Sequence, residues 1–178
     1  MDYFRKMRGT TQSPPRVRSS EMLWSWIGAF LGMALIGLIQ HIWLDPQGQT
    51  LLLASFGATC VLIFGAARSP LAQPRNVLGG HVLSACVGVV TWYMLGSWLW
   101  LAAAVAVATA IVLMHLTKTL HPPGGATALN AIIGGEAVHN LGFWYVLTPV
   151  ACGAVLLLCV AVFVNNIPHN RRYPEFWL

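Results

Sequence analysis

His121-Pro122-Pro123-Gly124-Gly125-Ala126-Thr127 lies between two long apolar runs and is the least helix-like stretch in the apolar part of the chain. Pro122 and Pro123 lack backbone donors and push the residue before them out of the α region. Gly124 and Gly125 accept conformations closed to other residues. A short apolar helix candidate, residues 126–133, follows. The pattern predicts an extended approach over residues 121–125 and a helix that starts at Ala126. At membrane depth such backbone persists only where protein or a water-filled cavity satisfies it, so the stretch marks a candidate site.

The surrounding composition puts it at that depth. Hydrophobic residues make up 57% of the chain and charged residues 8%, against about a quarter charged in soluble domains. The expectation is an all-α membrane protein with one membrane domain, residues 22–165. A basic tail, residues 1–21, expected to be disordered, precedes it, and a polar tail, residues 166–178, follows. The net charge of +5 would ordinarily suggest nucleic acid. Here Lys and Arg sit in tails and short loops, so orientation in the bilayer explains them and no nucleic-acid partner is expected. The first apolar run is too long for a cleaved signal peptide and reads as a retained span. Cys60, Cys86, Cys152 and Cys159 show no Cys-x-x-Cys spacing and read as small core residues.

Apolar runs at residues 22–43, 51–67, 77–96, 98–117 and 141–164, with the short segment after His121, predict about six membrane segments. Segments two and five are short or broken. Residues 45–49 read as a turn and Pro149 as a kink. Gly28 and Gly32 form a small-residue step, either an internal seam or the face of a homo-oligomer, and Ala102, Ala106 and Ala110 form a packing stripe. If every segment crosses, all 10 Lys and Arg fall on one side, which predicts cytoplasmic termini.

Gly57-Ala58-Thr59 and Gly125-Ala126-Thr127 are the same tripeptide 68 residues apart. That shift also relates the outer segments, which predicts a 3+3 inverted repeat. Two short helices would then start near the midplane from opposite sides, with their N-termini facing one cavity. Helix N-termini offer free N–H groups and the positive end of the dipole, so the cavity would suit a small anion. Carboxylates, expected at a cation site, are missing from the spans. The candidate binding residues are Ser55, Gly57, Ala58, Thr59, His81, His121, Gly124, Gly125, Ala126, Thr127 and Asn130. Arg75, Asn76 and Lys118 would form a cytoplasmic mouth. Alternatives stay open for several of these. Arg75 and Lys118 also read as orientation charges, His121 as a turn residue, Asn76 as a helix cap and Asn130 as a helix–helix bond. His41, His139 and His169 read as interfacial, and His115 and His121 are wrongly spaced for a shared metal. No metal or cofactor is expected.

The stretch from His121 to Leu129 resembles the signature of the HPP family, named for its His-Pro-Pro. Ser55-Phe56-Gly57-Ala58-Thr59 and the block from Ser69 to His81 are similar to its other blocks, and the likeness covers about residues 22–165. The resemblance implies an integral membrane protein, often described with four spans. Members in cyanobacteria and chloroplasts are implicated in nitrite transport. By that likeness the expected function is a channel or secondary transporter for nitrite or a similar small monovalent anion, in a bacterial inner membrane. The alternative is a structural or sensory membrane module. No His-Glu-x-x-His, Gly-x-Ser-x-Gly or paired carboxylates point to an enzyme.

The charge count makes a direct prediction. Single cysteines placed in a cysteine-free variant at Ser13 and His169 should react with an impermeant maleimide only from the side where Arg68 and Arg75 lie; labelling of the two tails from opposite sides contradicts the topology.

Overall fold

Among the described residues, four helices are long and apolar enough to cross a bilayer: Ser19–Leu44, Pro74–Leu95, Leu99–Leu116 and Val146–Asn165. The computed structural model describes residues 2–44 and 51–178, and these form helices with no strand among them. The turn expected at residues 45–49 lies outside the described residues. In chain order the helices are α1 (Asp2–Arg5), α2 (Ser19–Ile39, continued by a wide π turn to Leu44), α3 (Ala54–Cys60, continued by a π turn to Gly65), α4 (Pro74–Leu95), α5 (Leu99–Leu116), α6 (Pro122–Ile133), α7 (Gly135–His139) and α8 (Cys152–Asn165). A π stretch, Val146–Ala151, leads into α8. Thr148 there has φ −133° and ψ 117°, so the helix breaks just before Pro149, as the proline predicts.

α3 and α6 are the short segments, and neighbouring contacts give their directions. The N–H of Leu51 donates to Gln40 Oε1, and at the other end the Ser25 hydroxyl donates to Phe64 O at 2.7 Å. Ser25 and Gln40 are fifteen residues apart on one helix, about 22 Å along its axis. Residues 51–65 therefore run back along α2 toward its start. α6 runs the other way. Its start lies beside Gly80 and its later turns beside Gly88, parallel to α4. The C-terminal tail ties the starts of α2 and α4 into one end of the bundle. Arg171 binds the Glu21 carboxylate at 2.8 Å, the Tyr173 hydroxyl donates to Ala72 O at 2.7 Å, and the N–H of Glu175 donates to Gln73 Oε1 at 2.8 Å. Burial pushes the Tyr173 hydroxyl up from its ordinary range, so it stays a donor.

Small residues set the helix separations. A Cβ on Gly28 would enter the Phe64 ring, and one on Gly32 would lie 3.0 Å from Leu157 Cδ2. The Gly28–Gly32 step is thus an internal seam of α2 against α3 and α8, not an oligomer face. Gly153 of α8 abuts Phe56 in the same way. Ala102, Ala106 and Ala110 are fully buried and pack with Val87, Met114, Ala128 and Ile132, as the stripe predicts. Cys152 and Cys159 share a face of α8, but the face looks outward, so the core reading fails for them; Cys60 alone of the four is buried. Their period matches the outer, apolar side, where no packing partner is required.

Adding one methyl tests the seam. Gly28→Ala should lower thermal stability in detergent by about 1–3 kcal/mol through overpacking against Phe64. Gly37→Ala, where nothing lies within 4 Å, should raise it by about 0.5–1 kcal/mol through helix propensity.

Candidate functional site

α6 begins earlier than the glycines suggest. Its N-cap is His121, with φ −141° and ψ 105°, and Pro122 and Pro123 already occupy the first helical positions. Proline fits there because its missing N–H has no partner in a first turn. The extended reading of residues 121–125 is therefore corrected: only the approach up to His121 is extended. Two of the four donors that a helix start leaves open do not exist in α6, and the N–H of Gly124 is bonded to His121 O at 2.8 Å. α3 differs. It starts after an extended Leu53, and Ala54 and Ser55 in its first turn keep their N–H groups.

Where α3 and α6 meet, four side chains form a buried chain of contacts. Thr59 Oγ1 lies 2.7 Å from His81 Nε2 and 3.1 Å from His121 Nε2. The other nitrogen of His81, Nδ1, lies 2.7 Å from Thr127 Oγ1. The other nitrogen of His121, Nδ1, lies 2.8 Å from Leu71 O. Thr59, His81, His121 and Thr127 are all fully buried. The two rings meet edge to face with centroids 4.9 Å apart, and Phe56 closes against His81. Both threonines also reach the carbonyl four residues back, Ser55 O at 3.0 Å and Pro123 O at 3.3 Å. Ser55 Oγ is fully buried and has no hydrogen-bond partner among the described residues. A buried hydroxyl in that state costs about 1–3 kcal/mol and asks for an explanation.

Residues 57–59 and 125–127 thus come together as expected, with one correction. The space between them is filled by the two imidazoles and is not an open cavity. What remains open is an apolar groove of about 350 Å³ lined by Ala58, Val61, Leu62, Pro122, Pro123 and Ala126. Gly57 has nothing within 4 Å of a built Cβ and Gly125 only Val107 at 3.8 Å, so neither is needed for packing. Gly124 is needed, since a Cβ there would lie 2.7 Å from Ser84 Oγ and 2.9 Å from Gly80 O. Asn130 is half-buried one turn beyond the cluster.

The expected mouth residues have other duties. Arg75 donates to Thr117 O at 3.0 Å and Asn76 Nδ2 to Leu120 O at 2.9 Å, which pins the α5–α6 connection to α4. Gln73, not Asn76, stands at the N-cap position of α4, and its side chain makes no capping bond there. Lys118 is exposed and takes φ 57°, the left-handed position that ends α5. A basic cavity of about 680 Å³ lies at the same end, lined by Arg16, Arg18, Arg68, Arg171 and Arg172 together with Glu21 and the end of α3. Sequence reading also passed over Tyr145. It is fully buried, and its hydroxyl donates to Thr127 O at 3.0 Å. Tyr145 sits 18 residues from its partner, and only its position before the Pro149 break hints at an inward face.

A family model described as "HPP, transmembrane region" matches residues 14–174. The chain belongs to the HPP transmembrane family. Two curated transmembrane proteins of Dictyostelium discoideum are 43% and 42% identical over nearly the whole chain. The matches cover 99% of this chain but only 58% and 64% of the relatives' lengths, so both relatives are longer. No solved structure matches this chain. The His-Pro-Pro of the family name is here the N-cap and first two residues of α6.

The cluster is testable without a transport assay. Thr127→Val keeps the shape but leaves His81 Nδ1 without its partner. It should cost about 1–3 kcal/mol in thermal unfolding, with Thr127→Ser recovering most of the loss.

Proposed function

We propose that this HPP-family membrane protein is a channel or secondary transporter for a small monovalent anion of the nitrite class. The ion would pass the junction of α3 and α6. The observation that carries this reading is the fully buried Ser55 hydroxyl, which has no partner among the described residues, beside a cluster to which those residues bring hydroxyl and imidazole groups and no carboxylate. A site with donors to spare and no negative charge favours an anion over a cation. The α3 start, with Ser55 and its backbone N–H groups, supplies the direct donors. The α6 start contributes only the positive end of its dipole, because its prolines remove the donors.

The repeat reading supports the same site. α3 with its π turn runs from residue 54 to 65 and α6 from 122 to 133, so both ends differ by the shift of 68 that relates the two tripeptides. The segments run in opposite directions. Thr59 and Thr127, equivalent under the shift, hold the two nitrogens of one histidine. We take this as a 3+3 inverted repeat with about six crossings, four of them by long helices. Both termini would be cytoplasmic, in a bacterial inner membrane or another membrane that obeys the positive-inside rule. The arginine-lined cavity would then raise the local anion concentration on that side. Nitrite itself comes from the resemblance to family members implicated in nitrite transport. In this reading the protein moves its substrate unchanged and is not an enzyme.

The test is nitrite uptake into proteoliposomes compared with protein-free vesicles. Uptake should be faster with protein and should fall by roughly tenfold in Ser55→Ala, the worth of one good hydrogen bond to an ion. Equal uptake with and without protein would sink the proposal.

A further inference from the structure

The buried chain has a property that anion binding alone does not require. Leu71 O can only accept, so His121 Nδ1 carries a proton. In the neutral cluster His121 Nε2 is then bare and accepts a hydrogen bond from the Thr59 hydroxyl. Thr59 Oγ1 in turn accepts from His81 Nε2–H, and His81 Nδ1 accepts from the Thr127 hydroxyl. Every donor points one way along the chain, and every polar atom of the four side chains is used.

Now add one proton. On His121 Nε2 it makes that ring a donor to Thr59, whose hydroxyl swings to Ser55 O, 3.0 Å away. On His81 Nδ1 it makes that ring a donor to Thr127, whose hydroxyl swings to Pro123 O, 3.3 Å away. Either position leaves the cluster satisfied, and only hydroxyl hydrogens rotate. The i−4 carbonyls are therefore the second position of a switch. A purely structural polar core needs one arrangement; this one holds two proton counts with the same heavy atoms.

The added charge lacks a partner. α3 brings Cys60, α4 brings Cys86 and, at its start, Arg75; the stretch before α8 brings Tyr145, whose hydroxyl is committed to Thr127 O. His115 of α5, Lys118 after it and Cys152 and Cys159 of α8 are exposed, and α6 carries no titratable side chain. No carboxylate faces the pair among the described residues. A bare imidazolium in this setting is costly, and so is a bare anion. Together they cancel, and Ser55 Oγ, without a hydrogen bond among the described residues, lies on the residue whose carbonyl is the switch position.

We propose that the His81–Thr59–His121 unit takes up one proton with each anion, so that the protein performs electroneutral proton–anion cotransport. This rests on the anion-transport reading and deepens it. One proton binds at an imidazole nitrogen from the side where the anion enters, and the same proton leaves with the anion on the other side; no other bond is made or broken. Thr59 is the positioning residue that passes the change between the rings, and Thr127 the one that holds the outer nitrogen of His81.

The experiment uses the full chain in proteoliposomes with a trapped pH dye, nitrite as probe, and protein-free vesicles subtracted to remove leakage of the undissociated acid. Internal acidification should accompany uptake at about one proton per anion. The rate should be indifferent to a potassium–valinomycin potential and should rise about tenfold per pH unit of external acidification, by mass action. His121→Gln and Thr59→Val should lose the accompanying acidification, while Thr59→Ser keeps it. If a variant does not fold, the wild-type stoichiometry decides alone. Nitrite uptake that follows the membrane potential without acidification overturns the coupling and leaves anion transport standing. No uptake above protein-free vesicles overturns both.

Discussion

A helix that ends inside a membrane leaves backbone groups that water cannot reach, and each must find a partner within the protein. This constraint shapes everything around α3 and α6. At the start of α6 two donors are deleted by Pro122 and Pro123, and a third is bonded locally to His121 O. At its end Ile132 O accepts from His139 Nε2, whose ring is stacked on Trp92. The end of α3 has no such local solution. Its carbonyls at Ile63 and Phe64 are served by Asn165 from α8 and by Ser25 from α2. Arg171 from the tail holds the same corner by binding Glu21 and Asn165. Much of the long-range polar contact in the protein exists to finish two short helices.

Packing makes those solutions reachable. α4 and α6 approach closely enough for Gly80 to abut His121 and for Gly88 to abut Ala128 and Ala131. That approach puts His81 within bonding distance of Thr127 on one side and Thr59 on the other. The glycines around the site therefore divide into two kinds. Gly80, Gly88 and Gly124 are there for contact, whereas Gly57 faces open space and Gly125 meets only Val107 at ordinary contact distance. The Gly-Ala-Thr tripeptides carry one of these last two glycines each, next to the threonine that grips the histidine.

Function follows from which groups are surplus once structure is satisfied. Nearly all polar atoms at the junction are paired; Ser55 Oγ is the exception among the described residues. The histidines are paired too, but in a pattern that tolerates another proton. A donor left over and a proton that can be added are complementary to an anion, and among the described residues no carboxylate faces the junction. The arginine-lined cavity at the end of α3 carries the same positive sign.

Membrane residence, the long helices, the existence of a small-residue step at Gly28 and Gly32 and the two irregular segments were all legible in the chain, because apolar length, glycine spacing and proline placement act locally; that the step is an internal seam was not. The repeated tripeptide pointed to Thr59 and Thr127 for the same reason. Other features were not legible. That Pro122 opens α6 rather than delaying it depends on the helix finding its place beside α4. That the expected cavity is filled by His81 and His121, that Arg75 and Asn76 brace a turn, and that Tyr145 and Arg171 matter at all depend on partners far away in sequence. Periodicity reports which residues face inward, and composition reports the solvent in which they do so. Which inward-facing donor meets which acceptor is decided only when the helices pack, because a hydrogen bond needs its two atoms within about 3 Å, and only the tertiary structure sets that distance.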